Sequence, residues 1–243
     1  NKDKNINLEN INCIICESNN FKVLFRNDRH GIDQQTVMCK YCGFVYSNPR
    51  MSKESLDYFY SSNLYRELYE NAEDTKIFVD KIKQIEDNFI IKKPDFEKYS
   101  PQLFIDFIYS KKINFKTVCE IGSGYGNNLI YFKKMGKEIH GVEPSKNLVK
   151  LANDYNLNVK QGFVNDLNNN YDLIFLKHVF EHLYDPIEDL KKIRSHLNKY
   201  LFIEVPGNFK RLASIQNAHN FYFTENTLNK IITQAGFKIL STE

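Results

Sequence analysis

One stretch constrains this chain more than any other: Val118-Cys119-Glu120-Ile121-Gly122-Ser123-Gly124-Tyr125-Gly126. A short apolar run passes into alternate glycines and then into Asn127 to Met135, where Leu129, Ile130 and Phe132 recur on one side of a helix. Glycine lets a backbone turn this sharply from strand to helix, and it leaves room for a ligand against the main chain. The dinucleotide fingerprint G-x-G-x-x-G would need glycine at position 127, where Asn127 stands. What remains is an acid, Glu120, two residues before the first glycine. That charge suits a cationic ligand better than a pyrophosphate.

From Asn114 onward, strand-like runs alternate with amphipathic helices, which predicts an α/β fold with a parallel sheet and crossover helices. The strands expected are Lys116 to Ile121, Glu138 to Val142, Leu157 to Val159, Tyr171 to Leu176, Tyr200 to Val205 and Phe237 to Leu240. Ser145 caps a helix with Leu148, Leu151, Ala152 and Tyr155 on its apolar side, and Asp185-Pro186-Ile187-Glu188 opens another. Thr224 caps a last helix, which Gly236 ends. Glu143 closes the second strand in Gly141-Val142-Glu143-Pro144-Ser145, about 20 residues after the glycine turn. An acid there can accept both hydroxyls of a ribose that carries no 2′-phosphate, although a solvated strand-end acid would look the same.

These residues resemble the successive motifs of class I S-adenosylmethionine (SAM) dependent methyltransferases. The likeness runs through Glu120-x-Gly122-x-Gly124-x-Gly126, Gly141 to Ser145, Tyr171-Asp172-Leu173-Ile174, and His178-Val179-Phe180-Glu181-His182-Leu183-Tyr184-Asp185-Pro186. It covers residues from about 116 to 243 and implies a Rossmann-like core with SAM as cofactor. By it, Glu120, Gly122, Gly124 and Gly126 border the methionine portion of SAM and Glu143 holds the ribose. Phe163 and Asp166 flank the adenine after the third strand.

Upstream lie two further pairs, Cys13-x-x-Cys16 and Cys39-x-x-Cys42. Each CxxC turn points two thiolates at one ion, and two matched pairs read as a closed, structural zinc site rather than disulfides. Cys119, in a buried strand, reads as an inert core thiol. The regions expected are a zinc ribbon at 1–50, a helical linker or lid at 51–114 with breaks at Pro94 and Pro101, and a SAM-binding core at 115–243. Tyr58, Tyr60, Tyr65 and Tyr69 in the helical segment read as packing residues or as part of a lid. Asn1 leaves room for native residues before it, and Glu243 for more after it.

A ribbon, a helical segment and a SAM core in this order resemble methyltransferases of sugar and surface-polysaccharide pathways. Ala218-His219-Asn220-Phe221-Tyr222-Phe223 stands where deoxysugar C-methyltransferases carry Glu-His before Tyr-Phe, so His219 matches their catalytic histidine. Ala218 replaces the Glu, which argues against C-methylation. His178 and His182 are the other candidate bases, each expected after the carboxyl end of a strand. The resemblance implies a cytoplasmic enzyme that methylates a hydroxyl on a small, nucleotide-linked sugar. The rivals are an RNA base methyltransferase that grips its substrate with the ribbon, and a non-catalytic SAM-fold binding module. A net charge of only +3, with no dense Lys/Arg block, argues against nucleic acid. No apolar run is long enough to span a membrane.

Overall fold

The computed structural model describes residues 6–62, 64–69, 101–207 and 215–242, without the side chains of 101–103. Most of the helical segment, including Pro94, lies outside the described residues. The chain divides into two compact units. One comprises Asn1–Phe59, Lys177–Arg194 and Ile203–Glu243, and the other Tyr60–Leu176 and Ser195–Phe202.

The second unit is built on a sheet of β6 (Thr117–Ile121), β7 (Glu138–Glu143), β8 (Val159–Gln161), β9 (Tyr171–Lys177) and β10 (Leu197–Glu204), in the order β10-β9-β6-β7-β8. β7 and β9 pair parallel to β6 on its two sides, and β8 pairs parallel to β7. The chain therefore lays strands outward from β6 in one direction and then crosses to the other side. Doubly wound sheets bind their ligands at such a reversal, beyond the carboxyl ends of the strands. The glycine turn follows β6 directly.

Three helices of this unit are α3 (Pro101–Ser110), α4 (Asn127–Lys134) and α5 (Lys146–Asp154). Phe104 of α3 lies 4.9 Å from the ring of Phe175 and 6.0 Å from that of Phe132 on α4. Each such ring, buried to within a few per cent, contributes on the order of 1.5–3 kcal/mol.

The third strand sits later than expected, at Val159–Gln161 rather than Leu157 to Val159. Asn153 pins its start, with its side chain bonded to both the amide and the carbonyl of Val159, while Leu157 is spent in the core. Phe237 to Leu240 forms no strand. Its alternating pattern is right, but no ladder partner is present among the described residues, and Leu240 is 71% exposed.

In the first unit β1 (Leu8–Glu9) pairs with β5 (Arg50–Met51). An antiparallel sheet runs β11-β4-β3-β2, from β2 (Phe21–Asn27), β3 (Asp33–Cys39), β4 (Val45–Ser47) and β11 (Phe221–Tyr222). A late strand thus completes the cysteine-bearing sheet, and Phe44, Tyr46, Phe221 and Phe223 stack beneath it. Helix α1 (Lys53–Ser61) starts at Ser52, helix α6 (Pro186–Ser195) at Asp185, and helix α7 (Glu225–Gln234) at Thr224. The Asp185 carboxylate accepts from the Glu188 amide and the Thr224 hydroxyl from the Thr227 amide, as their cap positions require. Among the described residues no helix is long and apolar enough to cross a membrane.

Candidate active site and cysteine centre

Gly122, Gly124 and Gly126 all take positive φ, at 66°, 53° and 85°. The Gly122 amide donates to the carbonyl of Val142 at 2.8 Å, so the turn is stitched to the neighbouring strand. Glu143 at the end of β7 is 5% exposed and receives two main-chain donors: Gly124 N–H on Oε2 at 2.8 Å and Ser145 N–H on Oε1 at 3.0 Å. Burial raises its pKa, against the pull of the Ser145 amide, the Arg66 guanidinium and the Gly124 amide. A carboxylate oxygen has room for more than one donor, so each can still accept a ribose hydroxyl. Glu120, 2% exposed, accepts from Asn128 Nδ2 at 2.6 Å. An acid, a bent glycine turn and a second acid form a cradle that fits a cationic nucleoside such as SAM.

Arg66, on helix α2 (Leu64–Tyr69), was not singled out by the sequence. Its guanidinium lies over the ring of Tyr125 at 5.3 Å, and a Cβ built at Gly124 would sit 3.7 Å from its Nη2. Tyr65 stacks between Tyr60 and Tyr69 at 5.2 and 5.3 Å, and Tyr58 is half-buried on α1. Phe163 and Asp166 open a short turn after β8, where Asp166 Oδ2 accepts from the Phe163 amide at 2.8 Å. The Asp166 carboxylate is thus held by main chain, and the Phe163 ring is half-buried.

The histidines converge in the first unit on a residue that sequence reasoning passed over. Glu181 is 2% exposed, and around its Oε1 stand His178 Nδ1 at 3.9 Å, His182 Nε2 at 3.7 Å and His219 Nε2 at 4.0 Å. The backbone brings this about. The Asn220 amide donates to the carbonyl of Glu181 at 2.9 Å, and Asn220 Nδ2 donates to the carbonyls of His182 and Leu183, both at 3.0 Å. The carbonyl of His219 is held in turn by the Ser47 hydroxyl at 2.7 Å.

His178 has φ 53°, a left-handed conformation rare for a residue with a Cβ. Its Nε2 lies 3.0 Å from Glu204 Oε1, which also receives Lys177 Nζ at 2.8 Å. Burial raises the Glu204 pKa, but the bonds from His178 and Lys177 outweigh it and bring it below the usual carboxylate range. Burial, and after it the adjacent His182 ring, pushes His219 down to about 2. Burial pushes Glu181 up to about 8. Beside this cluster a cavity of about 280 Å³ is lined by Arg26, Gln34, Arg50, Asn217 and Asn220.

The two cysteine pairs fold into matching turns. Cys13 N–H donates to the carbonyl of Ser18 at 3.0 Å and accepts on its own carbonyl from Glu17 at 2.7 Å; Cys39 does the same with Phe44 at 2.8 Å and Gly43 at 3.0 Å. Glu17 and Gly43 both have positive φ, at 61° and 76°. All four thiols are free of disulfides, and their sulfurs lie within 4.8 Å of one another, with Cys13 to Cys42 at 3.4 Å and Cys16 to Cys39 at 3.5 Å. Four thiolates about 2.3 Å from a tetrahedral ion would stand about 3.8 Å apart, so the set fits zinc. The fifth thiol, Cys119, is fully buried, and burial pushes it up to about 12, as an inert core residue requires.

A family model described as a methyltransferase domain matches residues 95–242, more than half of the chain. The chain belongs to that family. A SAM-dependent methyltransferase of Clostridium acetobutylicum is 14% identical, with 68% of this chain and 89% of that one covered at a TM-score of 0.50, so the fold is shared. A protein of Thermotoga maritima described as a possible histamine N-methyltransferase is 20% identical over 67% of this chain and 79% of its own, at a TM-score of 0.49. No curated protein matches it. SAM-dependent methyl transfer is the activity that this family membership supports.

Proposed function

We propose that this methyltransferase moves the methyl of SAM to a hydroxyl on a small, nucleotide-linked sugar in the cytoplasm. Residues 1–50 serve as a zinc ribbon on Cys13, Cys16, Cys39 and Cys42, 51–114 as a lid, and 115–243 as the SAM core. The observation that supports the cofactor reading most is Glu143, buried yet bonded through both oxygens to the amides of Gly124 and Ser145. The acceptor reading rests on the likeness around His219.

SAM supplies a methyl already activated on a sulfonium; the protein's tasks are to align the acceptor and to take its proton. Glu143 holds the ribose, Glu120 with Gly122, Gly124 and Gly126 borders the methionine portion, and Phe163 and Asp166 flank the adenine. Of the three histidines, His178 is favoured as base. Its side chain is 37% exposed, against 11% for His182 and 10% for His219. With Nε2–H donated to Glu204, its Nδ1 carries a lone pair, the arrangement of a carboxylate-oriented base. His219 suits a positioning role, because a ring pushed down to about 2 has little proton affinity at neutral pH.

Incubating the enzyme with SAM and, in parallel, a panel of nucleotide sugars or bulk RNA, then reading product masses, tests this. One methyl added to a sugar is the expected result; methylated RNA with untouched sugars would overturn it.

A further inference from the structure

We infer that Glu181, His182 and His219 form a second metal centre that binds one divalent first-row cation. Each offers a ligand atom, and these atoms lie within 4.8 Å of one another. Apart from its own main-chain amide, neither carboxylate oxygen of Glu181 has a hydrogen-bond partner among the described residues, although the side chain is 2% exposed. Burying a carboxyl so sparsely partnered is costly, and a native chain that does so usually has an ion or water to meet it.

What stands around Glu181 Oε1 is imidazole nitrogen, at 3.7–4.0 Å. His182 Nδ1 lies 2.8 Å from the carbonyl of Ala218, so Nδ1 holds the proton and Nε2, 3.7 Å from Glu181 Oε1, presents its lone pair. That outer hydrogen bond is the one that fixes ring and tautomer in metal-ligating histidines. His219 stands edge to face with His182, ring centroids 4.7 Å apart, and its Nε2 is 4.0 Å from the same oxygen. Ligands about 2.1 Å from one ion stand about 3–3.5 Å apart, so small torsions close the remaining gap. The bonds that the Asn220 amide and Nδ2 donate to the Glu181, His182 and Leu183 carbonyls hold both stretches of chain in register for it.

Two imidazoles with one carboxylate select Mn²⁺, Fe²⁺, Co²⁺ or Zn²⁺ over the all-oxygen cations, and three protein ligands leave open positions. Those positions suit paired oxygens, such as vicinal hydroxyls, whose acidity a bound cation raises. That use rests on the acceptor reading above; the site itself does not.

The test is titration of Mn²⁺ into full-length protein with its cysteine site already loaded, followed by electron paramagnetic resonance, with SAM affinity measured on the same samples. One saturable Mn²⁺ per chain is expected, weakened at least about 100-fold in Glu181→Gln and His219→Gln while SAM affinity stays unchanged. Absence of saturable binding by Mn²⁺, Co²⁺ and Zn²⁺, or equal binding in Glu181→Gln, overturns the site. Should the variants fail to fold, the wild type decides by nuclear magnetic resonance. Substoichiometric Mn²⁺ must broaden the His182 and His219 ring signals; rings left sharp at both positions refute the assignment. Loss of SAM binding with Mn²⁺ binding intact would sink the cofactor reading alone.

Discussion

The amide of Gly124 donates to Glu143 Oε2 at 2.8 Å, which locks the turn after β6 to the acid that ends β7. Neither can shift without the other. The glycine turn is therefore a fixed half of the cradle, held in place by the same carboxylate that would receive the ribose.

Gly126 tests how tightly that turn is built. Its φ is 85°, and a Cβ there would collide with Leu157 in the core. Gly126→Ala should cost about 2–5 kcal/mol, from left-handed strain of about 1–2 and overpacking of about 1–3. Denaturant unfolding measures it, and a loss below about 1 kcal/mol would mean that the turn relaxes freely.

The cysteine turns predict one zinc per chain in protein purified without added metal. Cys39→Ser should lower the zinc content and destabilise the sheet that Phe44 and Phe221 pack beneath. Elemental analysis with thiol titration checks this. Four readily titrated thiols at Cys13, Cys16, Cys39 and Cys42 in native, metal-free protein would refute it.

The histidines should separate by role. His178→Ala is expected to keep SAM affinity and Mn²⁺ binding but to lose about 10²–10⁴-fold in turnover, the usual contribution of a positioned base. His182→Ala and His219→Ala should lose Mn²⁺ binding along with turnover. Full activity in His178→Ala with loss in His219→Ala would move the base to His219.

Asp189 on α6 carries a pH dependence. Burial, then the Asp185 charge, pushes its pKa up to about 7, partly offset by Lys53. The folded state therefore keeps a proton that the unfolded chain releases near 4, and stability falls as pH rises from about 4 to about 7. Asp189→Asn should be neutral near pH 4 and stabilising by about 2–4 kcal/mol above pH 7. Thermal melts across that range measure the difference, and an equal effect at both ends would contradict it.

Much of the sheet was legible because its signals are local. Strand, glycine turn and helix follow one another from Thr117 to Lys134, and Asp185 and Thr224 cap helices with their own side chains. What escaped depends on distant chain. Glu181 is unremarkable beside His182 until Asn220, far along the chain, bonds the Glu181, His182 and Leu183 carbonyls and brings His219 to it. Arg66 lies on a helix whose sequence carries no sign of Tyr125 or Gly124. At Phe237 to Leu240 the opposite holds, since alternation alone cannot supply a neighbouring strand.

The measurement closest to the central claim is calorimetric titration of SAM into the wild type and Glu143→Gln. The amide keeps one acceptor oxygen for the main chain but loses the charge that holds the ribose hydroxyls. The account predicts one SAM per chain for the wild type and binding weaker by about 1.5–3 kcal/mol, roughly 10–150-fold, in the variant. Equal affinity in the two proteins would remove Glu143 from the cofactor site, and no saturable binding to the wild type would contradict the account as a whole.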